Sequence, residues 1–122
     1  MVASKSKMSL PLMLVLVCGG SKARTILEKV VKADVSNEAF PYMTSQRFTI
    51  GDVPVLAMRV TYVGELGWEF YAPMEYGLHL WDTLWEAGKS EGIVAGGYRA
   101  IDSMRLEKSY RAWSGEITPD YT

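Results

Sequence analysis

The side chains best suited to hold a ligand lie between residues 58 and 70, where Tyr62, Glu65 and Glu69 are interleaved with Gly64 and Gly67. An ionised carboxylate offers two acceptor oxygens and can take two parallel N–H groups at once, while a tyrosine adds a flat apolar ring with a polar tip. Glycines in such a loop permit positive φ or let a ligand approach the backbone closely. Acidic side chains among Val63, Leu66 and Trp68 are costly unless they meet a donor. The loop is therefore the first candidate for a binding site. On residue type alone plainer roles are also open: Glu69 as an exposed strand glutamate, Tyr62 as a half-buried strand tyrosine, and Glu65 as a partner of Arg59 or a cap for loop N–H groups.

Other polar candidates carry less. His79 stands alone in an amphipathic run beside Leu78 and Leu80, with no second ligand and no nucleophile in a recognisable motif. Cys18 is the single cysteine, so neither an intrachain disulfide nor a cysteine metal cluster can form, and it reads as a small apolar residue at a strand end in a reducing compartment. No metal site is expected. No GxGxxG follows a strand, so a nucleotide or flavin site is not expected within the chain. Asp102 and Arg105, three apart, can pair across one helical turn as scaffolding, with Arg105 also near Glu107. Trp68, Trp81, Trp85 and Trp113 read as core or interface residues.

The elements that must position the loop follow from periodicity. A buried apolar strand is expected over 12–17, followed by a Gly19-Gly20 turn, and Ser21 is a suitable N-cap. Ala23, Ile26, Leu27, Val30 and Val31 then form one helical stripe. Residues 34–41 are turn-like; strands are expected over 45–49 and 54–62, joined by Ile50-Gly51-Asp52-Val53, and again over 68–71. Residues 74–88 return to helical spacing, with Leu80 and Leu84 in one row and Leu78, Trp81 and Trp85 in another, a wide apolar face expected to pack on the sheet. A short strand over 93–95 and a helix over 99–109 complete the pattern. The order strand, helix, strand, strand, strand, helix, strand predicts an α+β fold, a ferredoxin-like sandwich with a mainly antiparallel sheet and helices on one face.

The 122 residues suffice for one domain, and 48% hydrophobic residues suffice for an ordinary core. Thirteen basic against fourteen acidic residues give a net charge of −1 without a basic cluster, which argues against a nucleic-acid surface. Lys5 and Lys7 ahead of the apolar run 8–17 imitate a signal peptide. Val17, however, stands where lipoprotein processing requires a small residue before the cysteine, and the run is too short to span a bilayer. Residues 1–9 are read as a flexible leader and 10–122 as a single α+β domain.

Three stretches resemble a known family. Tyr-x-Gly-Glu-x-Gly-x-Glu, at Tyr62, Gly64, Glu65, Gly67 and Glu69, resembles the signature of the folate-binding domain of the glycine cleavage system T protein, an aminomethyltransferase. Gly-Tyr-Arg-Ala-Ile-Asp-Ser-Met-Arg-Leu-Glu-Lys, at 97–108, resembles that family's second signature in the form found in sarcosine and dimethylglycine dehydrogenases. Asp-Val-Ser-Asn-Glu-Ala-Phe-Pro, at 34–41, resembles the sarcosine dehydrogenase branch.

The resemblance implies a tetrahydrofolate-binding domain that captures a methylene unit, from an aminomethyl group or an oxidised N-methylglycine, as the 5,10-methylene form. It assigns to Glu69 the two pterin N–H donors, to Tyr62 the pocket wall and to Tyr110 a further contact. Ile101 stands where the family's ligand-binding arginine is usual, leaving Arg99 as a weak substitute. The family's catalytic acid lies upstream, so the chain is expected to be part of a folate domain, inactive alone, with any FAD in a separate domain. The partners implied are folate, a small amine and a lipoyl carrier protein or flavin domain, in the cytoplasm or the mitochondrial matrix of a eukaryote; no membrane or nucleic acid is expected. Self-association is expected wherever neighbouring domains leave apolar surface bare. The alternative is a folate-binding or interaction module without chemistry.

Overall fold

The structure is a computed structural model that describes residues 12–120, and the leader expected over 1–9 lies outside them. Four strands, β1 (Met13–Gly19), β2 (Ser45–Ile50), β3 (Val53–Met58) and β4 (Gly67–Pro73), form one sheet in the order β1-β4-β3-β2. Every pairing in it is antiparallel. Three α-helices accompany the sheet: α1 (Ala23–Glu28), α2 (Gly77–Gly88) and α3 (Tyr98–Glu107). The chain is thus α+β with an antiparallel sheet, the class its periodicity predicts.

Strand alternation sorts the side chains onto two faces. Cys18 of β1, Ile50 of β2, Val53, Val55 and Ala57 of β3 and Trp68, Phe70 and Ala72 of β4 are buried, together with Ala23 and Leu27 of α1 and Leu80 and Leu84 of α2. Helices α1 and α2 therefore cover one face. Phe40, from the loop after α1, seals the core edge-on to Phe48 and Trp68, with ring centroids 6.2 Å away in each case. Burying each such aromatic contributes about 1.5–3 kcal/mol, so the 34–41 loop is part of the core rather than a free connection. The opposite face starts from Val15 and Val17, which are exposed, and continues through Glu69, Tyr71, Leu56 and Met58, which are half-buried. The first strand is therefore not buried throughout as expected: β1 is an edge strand that turns only alternate residues toward the core. Gly67 is required where β1 and β4 meet, because a Cβ there would come within 2.8 Å of the Cys18 carbonyl oxygen.

Four expectations are corrected in detail. Lys22 rather than Ser21 occupies the N-cap of α1, with no side-chain cap. That helix ends at Glu28: Val30 and Val31 both donate to the Leu27 carbonyl in a turn, and the Val30 carbonyl accepts from Gly51 of the β2–β3 hairpin. Strand β3 stops at Met58, since Val60 N–H turns back onto the Met58 carbonyl at 3.1 Å and takes 60–62 out of the ladder. The strand expected over 93–95 is absent. Gly92, at φ +78°, ends the helical segment in a Schellman motif, with Ile93 N–H bonded to the Gly88 carbonyl, and Val94 is left exposed.

Candidate functional site

The loop between β3 and β4 is shaped by Thr61, whose hydroxyl oxygen accepts from the N–H groups of Val63 and Glu65 at 3.2 Å each. This is a small local cap of the kind threonine favours in turns. Gly64 follows at φ +72°, and a Cβ there would lie 2.9 Å from Lys108 Cγ, so the position needs glycine for conformation and for space. Glu65 pairs with Lys108 at 3.5 Å, not with Arg59, and the loop is capped by Thr61 instead of by Glu65. Both members of that ion pair are about half exposed, so it registers the loop against the end of α3 without adding much stability.

Tyr62 turns toward the C-terminal segment. Its hydroxyl donates to the Arg111 carbonyl at 3.0 Å, and its ring lies 6.3 Å from that of Tyr110. Two expected pocket residues are thus brought together. Tyr110 is placed by the end of α3, where Ser109 adopts φ +64° and Tyr110 N–H closes onto the Arg105 carbonyl. The Arg105 side chain, buried at 8% exposure, completes the clasp. It donates to the Tyr110 carbonyl at 2.9 Å and pairs with Asp102 at 2.7 Å and Glu116 at 2.6 Å. Hydrogen bonding to Asp102 is the chief cause that raises the Arg105 pKa. The Ala112 N–H, then Arg105, holds the Glu116 carboxyl below its usual range. The Asp102–Arg105 pair is the scaffold its spacing predicts. Glu116, not a group near Glu107, is the second carboxylate, and no local spacing in the sequence announces it.

Glu69 lies on β4 between buried Trp68 and buried Phe70, so its side chain falls on the face away from α1 and α2. Register places it between Val17 of β1 and Met58 of β3. Its Oε2 accepts from the Tyr71 hydroxyl at 2.7 Å, and that bond, followed by burial, raises the Tyr71 pKa. A carboxylate with one hydrogen bond retains acceptor capacity on both oxygens. Glu69 and Tyr62 are thus held by different partners. Arg99 stands exposed in the first turn of α3, with no ion pair among the described residues. His79 is exposed and its carbonyl accepts from Thr83. The row Leu78, Trp81 and Trp85 does not pack on the sheet as expected: Leu78 and Trp81 are exposed, Trp85 is half-buried and stacks on Trp81 at 5.8 Å, and Trp113 is exposed too, so Trp68 alone of the four tryptophans lies in the core. Among the described residues, no group of three or more His, Cys, Asp or Glu side chains could hold a metal, and no helix is long and apolar enough to cross a membrane.

The chain is thus an α+β domain that carries an acceptor carboxylate on the sheet face away from α1 and α2 and a tyrosine pair beside the β3–β4 loop. The chain belongs to the GCVT N-terminal domain family, whose model matches residues 8–122. It is 42% identical over 106 residues to dimethylglycine dehydrogenase of Mus musculus, covering 87% of this chain and 12% of that protein. It is 43% identical over 101 residues to sarcosine dehydrogenase of Homo sapiens, covering 83% and 11%. It is also 36% identical over 103 residues to an aminomethyltransferase of Caldanaerobacter subterraneus, covering 84% and 27%. The chain therefore spans between about a tenth and about a quarter of the length of these relatives.

Proposed function

We propose that this chain is the tetrahydrofolate-binding portion of a one-carbon transfer enzyme, with Glu69 as the anchor of the pterin. The observation that carries the reading is the placement of Glu69 on the sheet face away from α1 and α2, with acceptor capacity left after its bond to Tyr71. Such a carboxylate fits the paired N–H edge of a pterin, which needs an acceptor-only group presented side-on. Tyr62 and Tyr110 would supply aromatic surface, and Arg99 a cation at the start of α3. Tetrahydrofolate supplies the nitrogens N5 and N10 that take up a one-carbon unit. The contribution of these residues is to bind and orient, which lowers the barrier by proximity.

The one-carbon donor is proposed to be a small amine such as an N-methylglycine, in keeping with the names of the dehydrogenase relatives, or an aminomethyl group on a lipoyl carrier protein. In the first case an FAD domain elsewhere in a longer protein would carry out the oxidation. The cytoplasm or the mitochondrial matrix would suit the free, buried Cys18, whose thiol pKa burial raises. Equilibrium titration of the chain with a reduced folate tests the reading: saturable binding at micromolar concentration is expected, and its absence would count against it.

A further inference from the structure

On the helix-covered side of the sheet, two arginines converge on one neutral atom. Arg24 Nη2 and Arg59 Nη2 each donate to Asn37 Oδ1 at 2.7 Å. Arg24 Nε also donates to the Val35 carbonyl at 3.0 Å and Arg59 Nη1 to the Phe40 carbonyl at 2.7 Å. Both guanidiniums lie against Trp68, at 5.8 Å and 5.9 Å from its ring centroid. All the acceptors in this cluster are neutral amides. Among the described residues neither arginine has a carboxylate partner, whereas the buried Arg105 is matched by Asp102 and Glu116.

A guanidinium carries five N–H donors, so the two named bonds on each arginine leave donors unassigned on both. Two cations that share an amide oxygen repel each other, and the Arg59 pKa is lowered by burial and then by the Arg24 charge. The fully buried Trp68 adds an indole Nε1–H without an acceptor. The cluster is therefore rich in donors and charge and poor in counter-charge. Asn37 is exposed and Arg24 and Arg59 are half-buried, so the opening faces solvent.

We infer that Arg24 and Arg59, bridged by Asn37, form a binding site for a small-molecule oxyanion, a carboxylate or a phosphate group. Paired guanidiniums in a partly dry setting match the geometry of either group and bind it with charge-assisted hydrogen bonds. The site is separate from the proposed folate face, because Trp68 and Glu69 are consecutive residues of β4 and point to opposite sides of the sheet. It serves to place an acidic group of a ligand against the 34–41 loop.

The test is thermal unfolding of the full chain at fixed ionic strength and pH 7, with chloride replaced stepwise by inorganic phosphate in one series and by acetate in another. Wild type is expected to gain melting temperature saturably in at least one series. A response to phosphate alone assigns a phosphate group, and a response to acetate assigns a carboxylate. Asn37→Asp, which places a carboxylate between the arginines, is expected to melt higher than wild type in chloride and to need at least tenfold more anion for the same gain. Arg24→Gln is expected to lose the saturable gain. An equal response in wild type and Asn37→Asp, or no saturable response of wild type in either series, overturns the site. Because neither variant alters Tyr62, Glu69 or Tyr110, loss of this site and failure of folate binding are independent results.

Discussion

Tyr71 and Glu69, two residues apart on β4 and on the same face of the sheet, are joined by a 2.7 Å hydrogen bond from the phenol to Oε2. The bond fixes the carboxylate on a surface where strand glutamates otherwise sample several rotamers. It also leaves a signature in the phenol: a neutral donor is favoured beside an anion, so the Tyr71 pKa is raised, first by this bond and then by burial. The stabilisation is fully present below the ordinary tyrosine pKa of about 10 and is lost as pH rises through the folded value. Absorbance titration of the phenolate should show one late-ionising tyrosine. Glu69→Ala should return it toward the ordinary value, and an unchanged titration curve in that variant would contradict the pairing.

The Arg105 clasp predicts an acid-sensitive step. Glu116 is held below its usual range by the Ala112 N–H and by Arg105, so its contribution is present above the unfolded carboxylate pKa of about 4.3 and is lost as pH falls through the folded value. Hydrogen exchange of the Ala112 and Tyr110 amides should accelerate below about pH 4 before the β-sheet amides do. Glu116→Gln should raise the exchange of both amides already at neutral pH. Equal protection in the variant and wild type would remove Glu116 from the clasp.

Much of the architecture is legible because it is local. The period-2 alternation of β3 and β4 and the stripe Ala23, Ile26, Leu27 identify the buried faces directly, and Leu80 and Leu84 do the same for α2. The errors arise where a backbone turn outranks side-chain preference. Ile93 and Val94 are good strand residues, yet Gly92 at positive φ redirects the chain, and the tight turn at Val60 ends β3 inside an alternating run. In the candidate site, Glu69 and Tyr62 stand out by type and spacing. Glu116 and Asn37 do not, since each acquires its role from an arginine 11 or more residues away in sequence.

The exposed apolar row of β1 predicts association. Met13, Val15 and Val17 are 47%, 47% and 59% exposed, and register carries this apolar row toward Tyr71, Leu56 and Met58. A continuous apolar sheet face is seldom left to water. Light scattering of the chain should show dimers or larger species as concentration rises, and Val15→Lys with Val17→Lys should restore the monomer. A monomer at every concentration would mean that the half-buried Glu69–Tyr71 region is enough to keep the face soluble.

The role of Glu69 is tested most directly by calorimetric titration of the chain with tetrahydrofolate, wild type against Glu69→Ala. Hydrogen bonds to a charged group are worth about 1.5–3 kcal/mol each, so removing the carboxylate should weaken binding by at least about tenfold. Saturable binding in the wild type and its loss in Glu69→Ala, with the circular dichroism spectrum unchanged, is the predicted result. Equal affinity of the two proteins would contradict the assignment of Glu69 as the pterin anchor.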